Sequence, residues 1–259
     1  MKRTATIAAC MVMLAGSLAH GQMLFAQRFA STSSPLGTYI PVTSGLVGAW
    51  LIPGYTTSAI AQDMSGNGHA LSATNSPQWA TNGFAGTMYF SGANCAMRGV
   101  DTGMPTGAQA RTFCAWVRMS SATGYPTILG YGTGATGKAM GMQTYNGQMS
   151  LFAYATNPSG AGTATMVTQT WYHVCIVYTG GGITYYQNGS ANGTATISGI
   201  NTTLGGGVSL GTMFPSYDAP NFYPLTGYED SVLVYNRALS AAEIASTYAA
   251  QHNKGGTSH

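Results

Sequence analysis

At 259 residues, with nine Lys and Arg against six Asp and Glu, the chain is long enough for one large β domain, but it lacks the excess of cations that grips nucleic acid. Charged residues make up only 6% of it, while Gly numbers 36 and the hydrophobic share is 45%. Such a chain can build a core, yet its surface must be wetted by Ser, Thr, Asn, Gln and Tyr, which suits an extracellular protein better than a cytosolic one.

The chain opens "MKRTATIAACMVMLAGSLAHGQM": Lys2 and Arg3, an apolar run from Ala5 to Leu18, then small residues at Ala19 and Gly21. This order predicts a secretory signal peptide over residues 1–21. The apolar run is too short to span a bilayer comfortably, and no second one of about 18 residues follows, so the expected location is secreted, periplasmic or extracellular, with no membrane span. Without those residues, seven basic side chains face six acidic ones, and no basic stripe for nucleic acid remains. Residues 22–44 are rich in Ser, Thr and Pro and read as a leader or linker. The domain proper is placed at 45–250, with a flexible tail at 251–259.

From Gly45 onward, short runs rich in β-branched and aromatic residues recur between Gly, Asn and Pro: "LVGAWLI", "TMYFSG", "TFCAWVRM", "MSLFAYA", "WYHVCIVY", "ITYYQNG", "VSLGTMF" and "DSVLVYN". Many short strands with turn signals between them predict an all-β sandwich or barrel. Trp171 to Tyr178 and Ile183 to Gln187 flank a glycine-rich turn and predict a hairpin, and Asn188-Gly189 supplies the next turn. One helix is expected, in "LSAAEIASTYAAQH", with Ser240 and Glu243 forming a capping box and Ile244, Tyr248 and Ala245 facing inward. Trp50, Trp116 and Trp171 fall within strands and are read as core.

Several motifs carry chemistry only on paper. Gly132 to Lys138, "GTGATGK", matches a phosphate loop, but strand-like sequence on both sides and the absence of a following helix predict a hairpin loop and no nucleotide. "GVSLG" around Ser209 matches a nucleophile elbow without the helix or the later acid and His that an elbow needs. A glycosidase needs two carboxyl groups flanking one bond, whereas Glu229 and Asp230 are adjacent and would point to opposite faces of a strand. Three cysteines follow the signal and none forms a C-x-x-C pair. Cys114 with Cys175, both in strand-like runs, would be the disulfide pair in an oxidising compartment; three buried thiols acting as small apolar residues account for the sequence equally well.

Six stretches in order, "GLVGAWLI", "DMSGNGHAL", "FSG", "RTFCAWVRM", "WYHVCIVYTGGGITYYQNG" and "LTGYEDSVLVYNRALSAAEIASTY", resemble the concanavalin A-like lectin/glucanase superfamily in its laminin G-like branch. The resemblance implies a two-sheet antiparallel jelly-roll sandwich with one short C-terminal helix. The clustered catalytic acids of the glucanase members are absent, so no catalysis is expected. The resemblance also implies that the loop holding Asp63 and Asn67 lies near the start of the final strand, where Asp230, or in its place Glu229, would complete a structural calcium site; the alternative is that Asp63 and Asn67 only brace their turn. A ligand surface is expected on loops, and "MFPSYDAPNFYPL" offers Tyr217, Asp218, Asn221, Phe222 and Tyr223, a mixture of rings and polar groups suited to sugars but equally able to cover the core or a neighbouring subunit of a homo-oligomer. The leading expectation is a secreted binding module for carbohydrate or a surface protein. Alternatives are an assembly protein of a cell envelope or phage-like particle, and a divergent glycan hydrolase.

Overall fold

The computed structural model describes residues 37, 39–52, 59–80, 87–92, 95–156, 158–213 and 223–252; the expected signal peptide and tail segment from 253 onward lie outside them. The chain forms two antiparallel sheets. In spatial order the first holds β13 (Ser190–Thr196), β12 (Gly182–Gln187), β11 (Tyr172–Tyr178), β7 (Arg111–Met119), β15 (Thr226–Tyr235), β5 (Met88–Ser91) and β4 (Gln78–Trp79), and β1 (Leu46–Trp50) also pairs with β15. The second holds β10 (Gln148–Ala153), β9 (Ala139–Tyr145), β8 (Thr127–Gly132), β14 (Val208–Leu210), β6 (Ala96–Gly99), β3 (Leu71–Thr74) and β2 (Ile60–Ala61). A C-terminal helix, α1 (Ala241–His252), packs on the first sheet.

Strand alternation sends one face of each sheet into a shared core. Phe113, Ala115, Val117 and Met119 of β7 join Val174 and Ile176 of β11 and Val232 and Val234 of β15. From the other sheet they meet Leu129, Met140, Met142, Leu151 and Leu210. Each large side chain buried this way contributes about 1.5–3 kcal/mol, and the unbranched methionines fill gaps that stiffer residues would leave.

The opposite face of β7 is buried as well, because α1 lies across it. Trp116 donates its indole N–H to Gln251 Oε1 (2.9 Å) and stacks on Tyr248 at 5.7 Å. Trp116 is thus a helix-docking residue rather than a member of the inter-sheet core. Trp171 also departs from expectation: it precedes β11, is half-buried, and lies 6.3 Å from Tyr228. Trp50 is the true core ring, fully buried with its N–H on the His69 carbonyl at 2.6 Å.

The capping box of α1 forms as read: Ser240 N donates to Glu243 Oε2 (2.8 Å) and Glu243 N to Ser240 Oγ (3.3 Å), while Arg237 grips the same carboxylate at 2.6 Å. The inward face is Ile244, Thr247 and Gln251, with Tyr248 partly covered and Ala245 exposed. Ala245 sits about 100° round the helix from Ile244, away from the sheet. Asn188-Gly189 turns β12 into β13 with φ of 50° and 77°, the left-handed pair that a two-residue hairpin requires. "GTGATGK" is the connection between β8 and β9, and a side chain at Gly137 would overlap the Gly199 carbonyl oxygen. Ser209 lies inside β14, hydrogen-bonded on both sides, so no elbow exists there.

The compact unit starts at Tyr39, ahead of Gly45. Ile40 is buried, Tyr235 donates its hydroxyl to Val42 O (3.0 Å), and Gln251 Nε2 donates to Tyr39 O (3.2 Å). Cys114 and Cys175 stand directly opposite each other on β7 and β11 and are joined in a disulfide with Cα atoms 4.2 Å apart, while Cys95 is buried and free. The bridge closes a sequence separation of 61, so the variant Cys114→Ala/Cys175→Ala is expected to lose roughly 2–4 kcal/mol of stability. Urea unfolding of the oxidised protein and of the double variant measures this, and coincident midpoints would refute it.

Candidate ligand-binding site

The outer face of the second sheet carries a cavity of about 370 Å³, lined by Tyr125, Gln143, Leu151, Phe152, Ala153, Tyr154, Ala155, Met213 and Tyr223. Four separate segments build it. The turn before β8 brings Tyr125 to the tip of the β9–β10 hairpin, because Asn146 N donates to Gly124 O (3.0 Å) and Gly124 N to Asn146 Oδ1 (3.1 Å). At that tip Asn146-Gly147 forms a second left-handed turn, with φ of 47° and 83°. Tyr125 then stacks on Tyr145 at 4.8 Å and meets Tyr223 at 4.9 Å. Tyr223 is fixed through its carbonyl, which accepts from Thr127 N (2.9 Å), and Met213 through its carbonyl, which accepts from Ser209 Oγ.

These three tyrosines are 37%, 44% and 39% exposed; Tyr125 and Tyr223 line the cavity, and Tyr145 stacks on Tyr125 beside it. Desolvation within the cluster, followed by the neighbouring Tyr145, raises the Tyr125 phenol above its ordinary value, so it stays neutral. Inside, Phe152 packs with Ala139, Met213 and Tyr154 in an apolar cluster separate from the main core. Gln143 is the polar exception: it is only 8% exposed, and its Oε1 has no hydrogen-bond partner.

Of the ligand residues expected from sequence, Tyr223 belongs to this cavity, while Tyr217, Asp218, Asn221 and Phe222 lie outside the described residues. Sequence reasoning missed Tyr125, Tyr145, Gln143, Phe152 and Tyr154. A signal existed for three of them: Tyr125 and Tyr145 stand in the turn sequences "TGYP" and "TYNG", and Gln143 alternates with Gly141 and Ala139 on the small, polar face of β9.

The loop of Asp63 is a closed knot. Its Oδ1 accepts from Ala49 N (3.0 Å) and Ser65 N (2.9 Å), and its Oδ2 from Ser65 Oγ (2.9 Å) and His69 N (2.9 Å). Asn67 donates its amide to Leu46 O (3.2 Å) and Ser65 Oγ (3.0 Å). Asp230 shares none of these partners; Ser231 Oγ (2.5 Å) and Thr87 Oγ1 (3.1 Å) donate to it. Protein donors therefore occupy the carboxylate oxygens that a calcium ion would need, and Asp63, Asn67 and Asp230 do not fit such an ion.

The remaining described acids do not pair for catalysis. Asp101 accepts from Gly205 N at 2.9 Å, and Glu243 is held by Arg237. Glu229 and Asp230 take opposite faces of β15: Glu229 lies beside Met88 and Val117, and Asp230 beside Trp116. Burial pushes Asp230 up to about 7, opposed by Ser231 and Thr87. It also raises Glu229 well above the carboxylate range, opposed only by the Gly211 N–H, which itself donates to Ile128 O.

A family model described as the concanavalin A-like lectin/glucanases superfamily matches residues 98–245. No curated protein matches the chain. Among solved structures, the chain is similar to the botulinum neurotoxin serotype D ligand-binding domain in complex with N-acetylneuraminic acid, at 12% identity and a TM-score of 0.63, covering 84% of this chain and 53% of that one. It is also similar to the binding domain of Paraclostridial Mosquitocidal Protein 1 (13%, 0.60, 82% and 53%) and to the botulinum neurotoxin serotype G binding domain (13%, 0.58, 80% and 51%). The chain thus spans about half the length of these structures, and the likeness is one of fold.

Two outcomes follow from the acids. Both β15 carboxyls are raised in the folded state, so their contribution to stability is full below about pH 4, where the unfolded chain is also protonated. It falls as pH rises toward 7, where Asp230 ionises in the native state. Glu243, lowered to about 2 by Arg237, acts oppositely: its contribution is present above about pH 4 and is lost as pH falls through 2. Urea midpoints are therefore expected to peak near pH 4–5 and to decline by pH 8, with Asp230→Asn flattening the decline; a midpoint constant from pH 4 to 8 would contradict this. Thermal melting is expected to be indifferent to chelator and to added calcium, and a calcium-dependent rise in Tm would show that the Asp63 knot opens for the ion.

Proposed function

Because the chain belongs to the concanavalin A-like lectin/glucanases superfamily, we propose that it is an exported, non-catalytic module that binds carbohydrate in the cavity rimmed by Tyr125, Tyr145 and Tyr223. The observation that carries this reading is the tyrosine cluster itself. A sugar ring has an apolar C–H face and a rim of hydroxyls, and it is matched by aromatic surface with a few fixed polar groups. The cavity offers this combination in rigid form, since β9, β10 and two backbone-anchored loop ends hold its walls.

Its volume lies at the lower end of the range for small-molecule sites, which suits a single glycosyl unit or the end of a chain. The complex of the serotype D domain with N-acetylneuraminic acid supports a saccharide role for this fold. The absence of a second acid facing Glu229 or Asp230 among the described residues supports recognition without cleavage. A protein partner resting on the same three rings is the reading that the test must separate.

Glycan-array binding by the intact protein, repeated with Tyr125→Ala and Tyr223→Ala, decides between them. Each variant is expected to weaken binding by about 2 kcal/mol, roughly thirtyfold in Kd, with an unchanged melting temperature. Binding that persists in both variants, or an array without hits, would remove this function from the cavity.

A further inference from the structure

Resting on the carbohydrate reading of the same cavity, we infer that the ligand is an uncharged glycosyl unit that donates an O–H or N–H to Gln143 Oε1, and that acidic sugars are excluded. No Lys, Arg or His is among the described residues that line the cavity. Of the other described cations, Arg111 is committed to the carbonyls of Pro105, Thr106 and Gly107, Arg118 to Gln169 O and Arg237 to Glu243, while Arg98 on β6 and Lys138 in the β8–β9 connection are not among the lining residues. Residues 214–222, which connect the two lining residues Met213 and Tyr223 in sequence, contain one carboxylate, Asp218, and no cation. A carboxylate brought out of water without a counter-charge is strongly disfavoured. A ligand that stays neutral meets no such cost.

The polar requirement is equally specific. An amide oxygen is an acceptor with two lone pairs, and Gln143 Oε1 is buried without a donor. Native structures rarely tolerate an orphan of this kind, because its lost hydration is uncompensated. Its neighbours across the strands are Thr127 and Ser150, and neither hydroxyl reaches it: Thr127 Oγ1 donates to Tyr125 O and Ser150 Oγ to Leu151 O, both at 3.4 Å. A hydroxyl or acetamido N–H of the ligand completes the site, while the tyrosines and Phe152 take the apolar face of the ring.

This assignment makes an unusual pair of expectations for Gln143→Leu. Removing an unsatisfied buried acceptor while keeping the volume is expected to raise Tm, yet to weaken glycan binding by about tenfold or more. A purely structural glutamine would move both readings in the same direction. The decisive experiment presents the full chain with an array of neutral, uronic-acid-terminated and sialylated glycans, followed by titrations with the matched pairs glucose and glucuronate, and galactose and galacturonate. Neutral hits, lost in Tyr223→Ala and weakened in the more stable Gln143→Leu, are the expected result. Acidic hits that depend on Tyr223 would overturn this inference but leave the site reading intact. Neutral hits untouched by Gln143→Leu would overturn the donor assignment, and the absence of any Tyr223-dependent hit would remove both the site and the inference.

Discussion

The architecture depends on a change of partner along one strand. On one side β15 pairs with β7, from Gly227 to Asp230 and again from Leu233 to Tyr235; on the other it pairs with β5 from Thr226 to Glu229 and with β1 from Val232 to Tyr235. The switch falls at a bulge, where Ser231 takes a φ of 49° and donates its N–H to Leu51 O instead of continuing a ladder. A bulge bends and twists its strand. Here it lets a single strand organise both ends of the first sheet, and it aims Asp230 at two hydroxyls rather than at a cation. The raised carboxyls of this strand are therefore a by-product of topology: the residues at the change of partner are enclosed on every side.

A chain so poor in ions handles its few charges by different means from an average protein. Arg111, fully buried, has no carboxylate partner in its hydrogen-bond set and is solvated by a cage of backbone carbonyls together with the Tyr131 and Thr202 hydroxyls. Five guanidinium donors can be satisfied in this way without an anion. The same economy shapes the cavity, whose polarity comes from an amide and phenols. The uncharged character of the described lining thus follows from the composition.

What was legible in the sequence was whatever depends on neighbours along the chain. The Asn188-Gly189 turn, the β11–β12 hairpin and the Ser240–Glu243 box are local chemistry, and each reads directly from its residues. The reading of Ala245 as inward failed because the buried stripe of α1 is narrow, set by one ring, Trp116, and by Gln251 beneath it. The cavity was mostly illegible because it is assembled across strands. Tyr125 and Tyr223 are far apart in sequence and become neighbours only when the β7–β8 turn is tied to Asn146 and when Tyr223 is tied to Thr127. Asp63 illustrates a different limit: the acid and the Gly-Asn-Gly turn were visible, but the four donors that converge on its carboxylate come partly from β1, and only their positions decide between a turn brace and an ion cage.

The hydrogen bond between Gln251 Nε2 and Tyr39 O, together with the docking of Val42 against Tyr235, brings the first and last described segments of the compact unit side by side. Entry and exit at one point are what permit a domain to be inserted into a loop of another protein, or to be circularly permuted, without prising its host apart. This is a portability property of the fold. A unit from Tyr39 to His252 can be spliced into a surface loop of an unrelated scaffold, with β1 and β15 still zipped together and the tyrosine mouth, carried by the other sheet, left clear of the graft.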